Sequence, residues 1–218
     1  MNDLNITLNY SFRSGFGSME TYRYVREIIV DIINTDDSNN ALKVGFAKFK
    51  MLYLDEAESD GYNLMEVLDT YEYTFRHAED FFDFDLMDFK HSIYNHYNNE
   101  ILSKNICMLE RLEILPKYRG CHLGAKLIKD AIFHFGAGKV LFIVQAYPLQ
   151  FEAKDDHPDN WTELMEIQRL EKNKKKAFKD LSDYYQSCGF EKIKGIKDLL
   201  FYNPIFTNKY FDAINLDA

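Results

Sequence analysis

The chain has 218 residues, of which 46% are hydrophobic and 16% aromatic, with only four prolines, a composition that supports a packed core and excludes a disordered segment. A formal net charge of −9 repels phosphate backbones and sets the expectation of no nucleic-acid partner. Cys107, Cys121 and Cys188 are odd in number and match no zinc spacing, the N-terminal Met1-Asn2-Asp3-Leu4 opens no leader pattern, and no run nears the roughly 18 apolar residues of a membrane span, so the expectation is a soluble cytoplasmic protein with free thiols, no metal and no membrane partner.

Residues 28–33 form a β-branched run, 35–40 carry turn chemistry, and 42–50 alternate with period two. Together they predict an antiparallel hairpin. From about Gly61 the spacing of Leu64, Val67, Leu68, Tyr71 and Phe75 is helical, and a second helix is expected over about 86–97. Residues 106–115 read as a strand that leaves its sheet at Pro116. Residues 125–135 read as a helix with Leu127, Ile128, Ala131, Ile132 and Phe135 on one face, stopped by Gly136-Ala137-Gly138. The apolar run 140–144 predicts a strand covered on both faces. A loop over 155–160, a long helix over 161–187 and two short strands at 191–194 and 198–202 complete the chain. The order predicts an α/β fold with a mixed sheet.

The chemistry concentrates in Leu115-Pro116-Lys117-Tyr118-Arg119-Gly120-Cys121-His122-Leu123-Gly124-Ala125. A strand ends, a loop with two glycines follows, and a helix begins. Unpaired N–H groups and the positive end of the helix dipole, approached closely through glycine, make an anion site suited to a pyrophosphate. Arg119 adds a candidate charged donor.

This stretch resembles the GCN5-related N-acetyltransferase (GNAT) family, whose loop is summarised as Arg/Gln-x-x-Gly-x-Gly/Ala. Arg119 and Gly124 match, and His122 stands at the first motif glycine. A second block, Tyr185-Gln186-Ser187-Cys188-Gly189-Phe190, is similar to the family's Tyr-x-x-x-Gly-Phe segment. The resemblance covers roughly residues 104–204.

The resemblance implies a single domain over 1–218, with 61–98 as a helical elaboration and 104–204 as the cofactor-binding core. It implies a mixed, mostly antiparallel central sheet with flanking helices, of the acyl-CoA N-acyltransferase kind. The implied activity is transfer of an acetyl group from acetyl-CoA, as cosubstrate, to an amine. The alternative is a catalytically inactive binding or regulatory module on the same fold. In the family the strand before the loop splays from its neighbour and the pantetheine arm lies in the opening. Carried over, Ile114 and Leu115 offer backbone groups to that arm, and the segment Gly120, His122, Leu123, Gly124 and Ala125 holds the pyrophosphate with Arg119 beside it. Tyr185 takes the place of the general acid. Glu110 is the preferred base over Glu113, which lies three residues on and so faces the other side of a regular strand. The family also implies that a homodimer can form.

Other clusters read as structural. Asp83, Asp85 and Asp88 lack the glycine and closing glutamate of a calcium loop, and His91 and His96 stand five apart where helical zinc pairs prefer four.

Overall fold

A computed structural model describes residues 4–12, 20–137, 139–152, 160–206 and 208–215. It contains a mixed six-stranded sheet in the order β1 (Ile6–Phe12), β2 (Val25–Thr35), β3 (Ala41–Leu52), β6 (Ile106–Ile114), β7 (Leu141–Gln145) and β8 (Leu199–Tyr202). Every neighbouring pair is antiparallel except β6 with β7. The expected hairpin of β2 and β3 is present, extended at both ends. β1 was not anticipated, although Ile6, Leu8, Tyr10 and Phe12 alternate with polar residues as a one-faced strand should.

Alternation along the inner strands decides how the core divides. Cys107, Leu109, Phe142, Val144, Leu200 and Tyr202 face one side, where α5 (Leu123–Gly136) and α7 (Lys174–Ser187) pack. Ile106, Met108, Leu141, Ile143, Leu199 and Phe201 face the other, where α1 (Leu54–Ser59), α2 (Leu64–Leu68), α3 (Glu72–Phe81) and α4 (His91–His96) pack. Burial on both faces is why residues 140–144 read as a continuous apolar run.

The helical region between β3 and β6 is more broken than its periodicity implies. α2 stops at Leu68, and the Thr74 hydroxyl lies 2.6 Å from Leu68 O and 2.7 Å from Tyr71 O, fixing a new start for α3. The expected helix over 86–97 begins only at His91. Before it, Asp83 accepts from the amides of Asp85 (3.0 Å) and Leu86 (3.2 Å), closing the turn of a small hairpin, β4 (Phe82–Asp83) with β5 (Asp88–Phe89). Asp88 accepts from the Tyr94 hydroxyl at 2.7 Å, so this acidic group is spent on folding contacts.

The long helix expected over 161–187 is likewise two pieces. α6 (Asn160–Leu164) ends before Glu166, which is left-handed at φ 46, and a 3-10 turn follows over Ile167–Arg169. α7 then starts afresh from Asn173, whose side chain accepts from Lys176 N at 3.1 Å. Of the two final strands, β8 is present, while Glu191 makes only an isolated bridge to Phe201. A last short helix, α8 (Lys209–Asp212), packs against α7. The expected loop at 155–159 and Gly138 lie outside the described residues. No helix among the described residues is long and apolar enough to cross a membrane.

Candidate functional site

β6 and β7 run together only from Ile106 beside Leu141 to Leu109 beside Val144. Beyond that fork β6 continues along β3 to Ile114, while β7 stops at Gln145. A cleft of about 960 Å³ occupies the opening. The fork coincides with a bulge. Leu109 and Arg111 pair with the adjacent residues Phe49 and Lys48 of β3, leaving Glu110 as the extra residue. The regular alternation expected to place Glu110 and Glu113 on opposite sides therefore does not hold through this point.

Beyond the bulge the free edge of β6 faces the cleft. Leu115 N donates to Val44 O at 2.9 Å, so the alternate residues Leu112 and Ile114 turn their backbone groups away from β3 and into the gap. Two carbonyls near this edge are already engaged. Leu109 O accepts from the Tyr73 hydroxyl at 3.3 Å, and Ile114 O accepts from Arg119 Nε at 2.9 Å.

A 3-10 turn over Pro116–Tyr118 carries the chain out of β6. Gly120 then takes φ +79, where a side chain would be strained, and His122 takes φ +58 just before α5. Holding a histidine left-handed costs on the order of 1 kcal/mol, which glycine would avoid. His122 gives no side-chain cap to α5. Among the described residues no acceptor meets the amides of Gly120 to Ala125. The first turn of a 14-residue helix thus offers its free donors and its positive dipole end at the cleft mouth.

α7 forms the opposite wall with Tyr184 and Tyr185. A β-carbon at Gly124 would overlap the Tyr184 hydroxyl and lie 3.0 Å from Leu112 Cδ2, so glycine is what allows the phenol against the start of α5. Burial pushes both phenols up, which keeps them protonated donors near neutral pH.

The residues after β7 close the cleft from one side. Arg119 Nη2 donates to Met165 O at 2.7 Å, and the indole of Trp161 donates to Glu113 Oε2 at 2.6 Å. Glu113 is buried and also pairs with Arg111, which reaches on to Glu152. Desolvation lowers the Arg119 pKa from its ordinary value. Two of its donor groups are spent on backbone carbonyls, so its place here is to join the end of β6 to the strap at Met165.

The structure brings Glu110, Ile114, Arg119, Gly120, His122, Leu123, Gly124 and Tyr185 to one cleft. Leu115 and Ala125 do not line it, and Leu115 has its amide on Val44 O and its carbonyl on Tyr118 N. Glu110 lies 3.6 Å from the buried Lys50 Nζ, which also pairs with Glu27 and sits 3.7 Å from the centre of the Tyr71 ring. Sequence reasoning missed Tyr73, Leu112, Glu152 and Tyr184. Tyr184 had a signal, since it neighbours Tyr185 and follows Leu181 by three residues on the same helix. Among the described residues no group of three or more His, Cys, Asp or Glu is placed to hold a metal.

The loop also predicts thiol reactivity. Cys107 is fully enclosed and burial pushes its thiol far up, while burial pushes Cys188 up to about 11. Cys121, in the loop, is only partly covered. Iodoacetamide at neutral pH is expected to modify Cys121 alone in the folded protein, with the other two following only on denaturation. Peptide mass spectrometry checks this, and early labelling of Cys107 would contradict the packing described.

No family model matches the chain, and no curated protein matches it. A similar solved structure is described as the crystal structure of a KacTA–DNA complex, at 11% identity and a TM-score of 0.41, covering 92% of this chain and 94% of that one. Two expectations are corrected against this finding. The similar protein is described in complex with DNA, so transfer of an acetyl group to an amine is withdrawn as the activity, and nucleic acid is no longer excluded as a partner on the strength of net charge. A likeness of this size assigns neither DNA binding nor a fold family to this chain.

Proposed function

We propose that the cleft binds a long ligand with phosphates at one end, of the coenzyme A type. The proposed activity is binding. The observation that carries it is the row of amides from Gly120 to Ala125, without an acceptor among the described residues, at the mouth of an opening between two parted parallel strands. A pyrophosphate is matched by free N–H donors and a helix dipole. An amide-containing arm is matched by the strand edge at Leu112 and Ile114, where backbone groups point into the gap. The cleft volume falls in the range of small-molecule and cofactor sites.

The same proposal covers the finer likeness of the sheet to acyl-CoA N-acyltransferase folds. The Arg119–Gly124 loop joins β6 to α5, and Tyr185 lies across the cleft from it, the arrangement that the resemblance implies. Glu110 and Tyr185 belong to the inner part of the ligand site in this proposal, and Gly120, His122, Leu123 and Gly124 to its phosphate end.

Coenzyme A is expected to raise the melting temperature progressively with concentration, because it binds only the folded chain. Pantetheine, which lacks the phosphates, is expected to give no shift at the same concentrations. Equal shifts from both ligands would contradict phosphate recognition by the loop, and no shift from coenzyme A would overturn the proposal.

A further inference from the structure

We infer that Tyr73 sets the length of the ligand the cleft accepts, admitting coenzyme A with no acyl group or a short one and refusing a long acyl chain. This rests on the coenzyme A reading above. With the phosphates at the amides of α5, the opposite end of such a ligand, its thiol, runs along β6 toward the fork at Leu109. The distance from Ile114 back to Leu109 is five residues, about 16 Å of strand.

The cleft ends at that fork. Beneath it Met108, Ile143 and Phe201 are fully buried, leaving no passage between β6 and β7. Tyr73 stands over the fork, its hydroxyl bonded to Leu109 O at 3.3 Å, which is the carbonyl of the last β6 residue paired with β7. Its ring packs edge-on against buried His77, with centroids 5.1 Å apart. The helix that carries it is pinned one residue away by the two short contacts of Thr74. The phenol is thus fixed from its backbone to its hydroxyl. Tyr73 lines the cleft together with Glu110, Glu152 and Tyr185, and burial pushes its phenol up. A chain extending past the thiol meets this ring. Well-packed sites yield little to added methylenes.

The test compares coenzyme A, acetyl-CoA, butyryl-CoA and octanoyl-CoA by isothermal titration with the wild type, Tyr73→Ala and Tyr73→Phe. The wild type is expected to bind the first two alike and octanoyl-CoA at least about tenfold more weakly. Tyr73→Ala is expected to bring octanoyl-CoA within about threefold of coenzyme A. Tyr73→Phe keeps the ring and is expected to keep the discrimination. Should Tyr73→Ala fail to fold, Tyr73→Leu takes its place, with the same direction expected. A wild type indifferent to chain length, or a shortened side chain that binds coenzyme A and still refuses octanoyl-CoA, overturns the role of Tyr73. No binding of any of the four ligands to the wild type overturns the coenzyme A reading, and this inference with it.

Discussion

Alanine at position 124 is expected to lower stability by about 1–3 kcal/mol and to weaken coenzyme A binding by about tenfold or more. Gly124 sits in the first turn of α5, where its missing side chain is filled by the Tyr184 hydroxyl on one side and by Leu112 on the other. A methyl group forces the phenol outward into the cleft, over the amides proposed to meet phosphate. The conflict is with one oxygen atom, so it has a specific remedy. Tyr184→Phe removes that oxygen, and the double variant is expected to regain a large part of the lost stability. Leu112 Cδ2 at 3.0 Å keeps the recovery from being complete. Urea unfolding of the two single variants and the double variant gives the coupling directly. Additive losses would show that the phenol is not what Gly124 accommodates.

Replacing Glu113 by alanine is expected to cost about 2–4 kcal/mol. The carboxylate is buried, accepts from the Trp161 indole and pairs with Arg111, so its removal leaves two donors without their acceptor. Arg111 keeps Glu152, which limits the loss. Glutamine retains the shape and one carbonyl for the indole, and is expected to cost less than half as much. The consequence reaches the cleft, because Trp161 belongs to the segment that Arg119 joins to β6 through Met165. The chain has one tryptophan, so its emission reports the surroundings of Trp161, where Glu113 meets the indole N–H and Phe46 packs on the ring. Glu113→Ala is expected to shift that emission to longer wavelength in the folded protein. An unchanged spectrum with unchanged stability would mean that the indole contact holds nothing in place.

Much of the sheet was legible because the β-branched run at 28–33, the period-two alternation at 42–50 and the continuous apolar run at 140–144 each leave a strong pattern. The loop at Arg119–Gly124 was legible because anion-binding backbone needs glycine at definite places. What the sequence concealed follows from tertiary demands on local pattern. Residues 161–187 have helical spacing throughout, yet the chain breaks at Glu166 so that Met165 and Leu170 can turn toward the cleft. Residues 64–75 have helical spacing too, and Thr74 resets the helix through its hydroxyl. The bulge at Glu110 leaves no mark in residue type, so the side of the strand on which Glu110 lies was not readable from alternation. Tyr73 lies far in sequence from the loop it shares a cleft with, and only the fold joins them.

Hydrogen–deuterium exchange over residues 119–126, with and without coenzyme A, tests the central claim most directly. The amides of Gly120 to Ala125 have no acceptor among the described residues, and phosphate is expected to supply one. Slowed exchange confined to this peptide and to the facing part of α7 is the predicted result. Exchange left unchanged there at saturating coenzyme A would contradict the account, whatever protection appeared elsewhere in the chain.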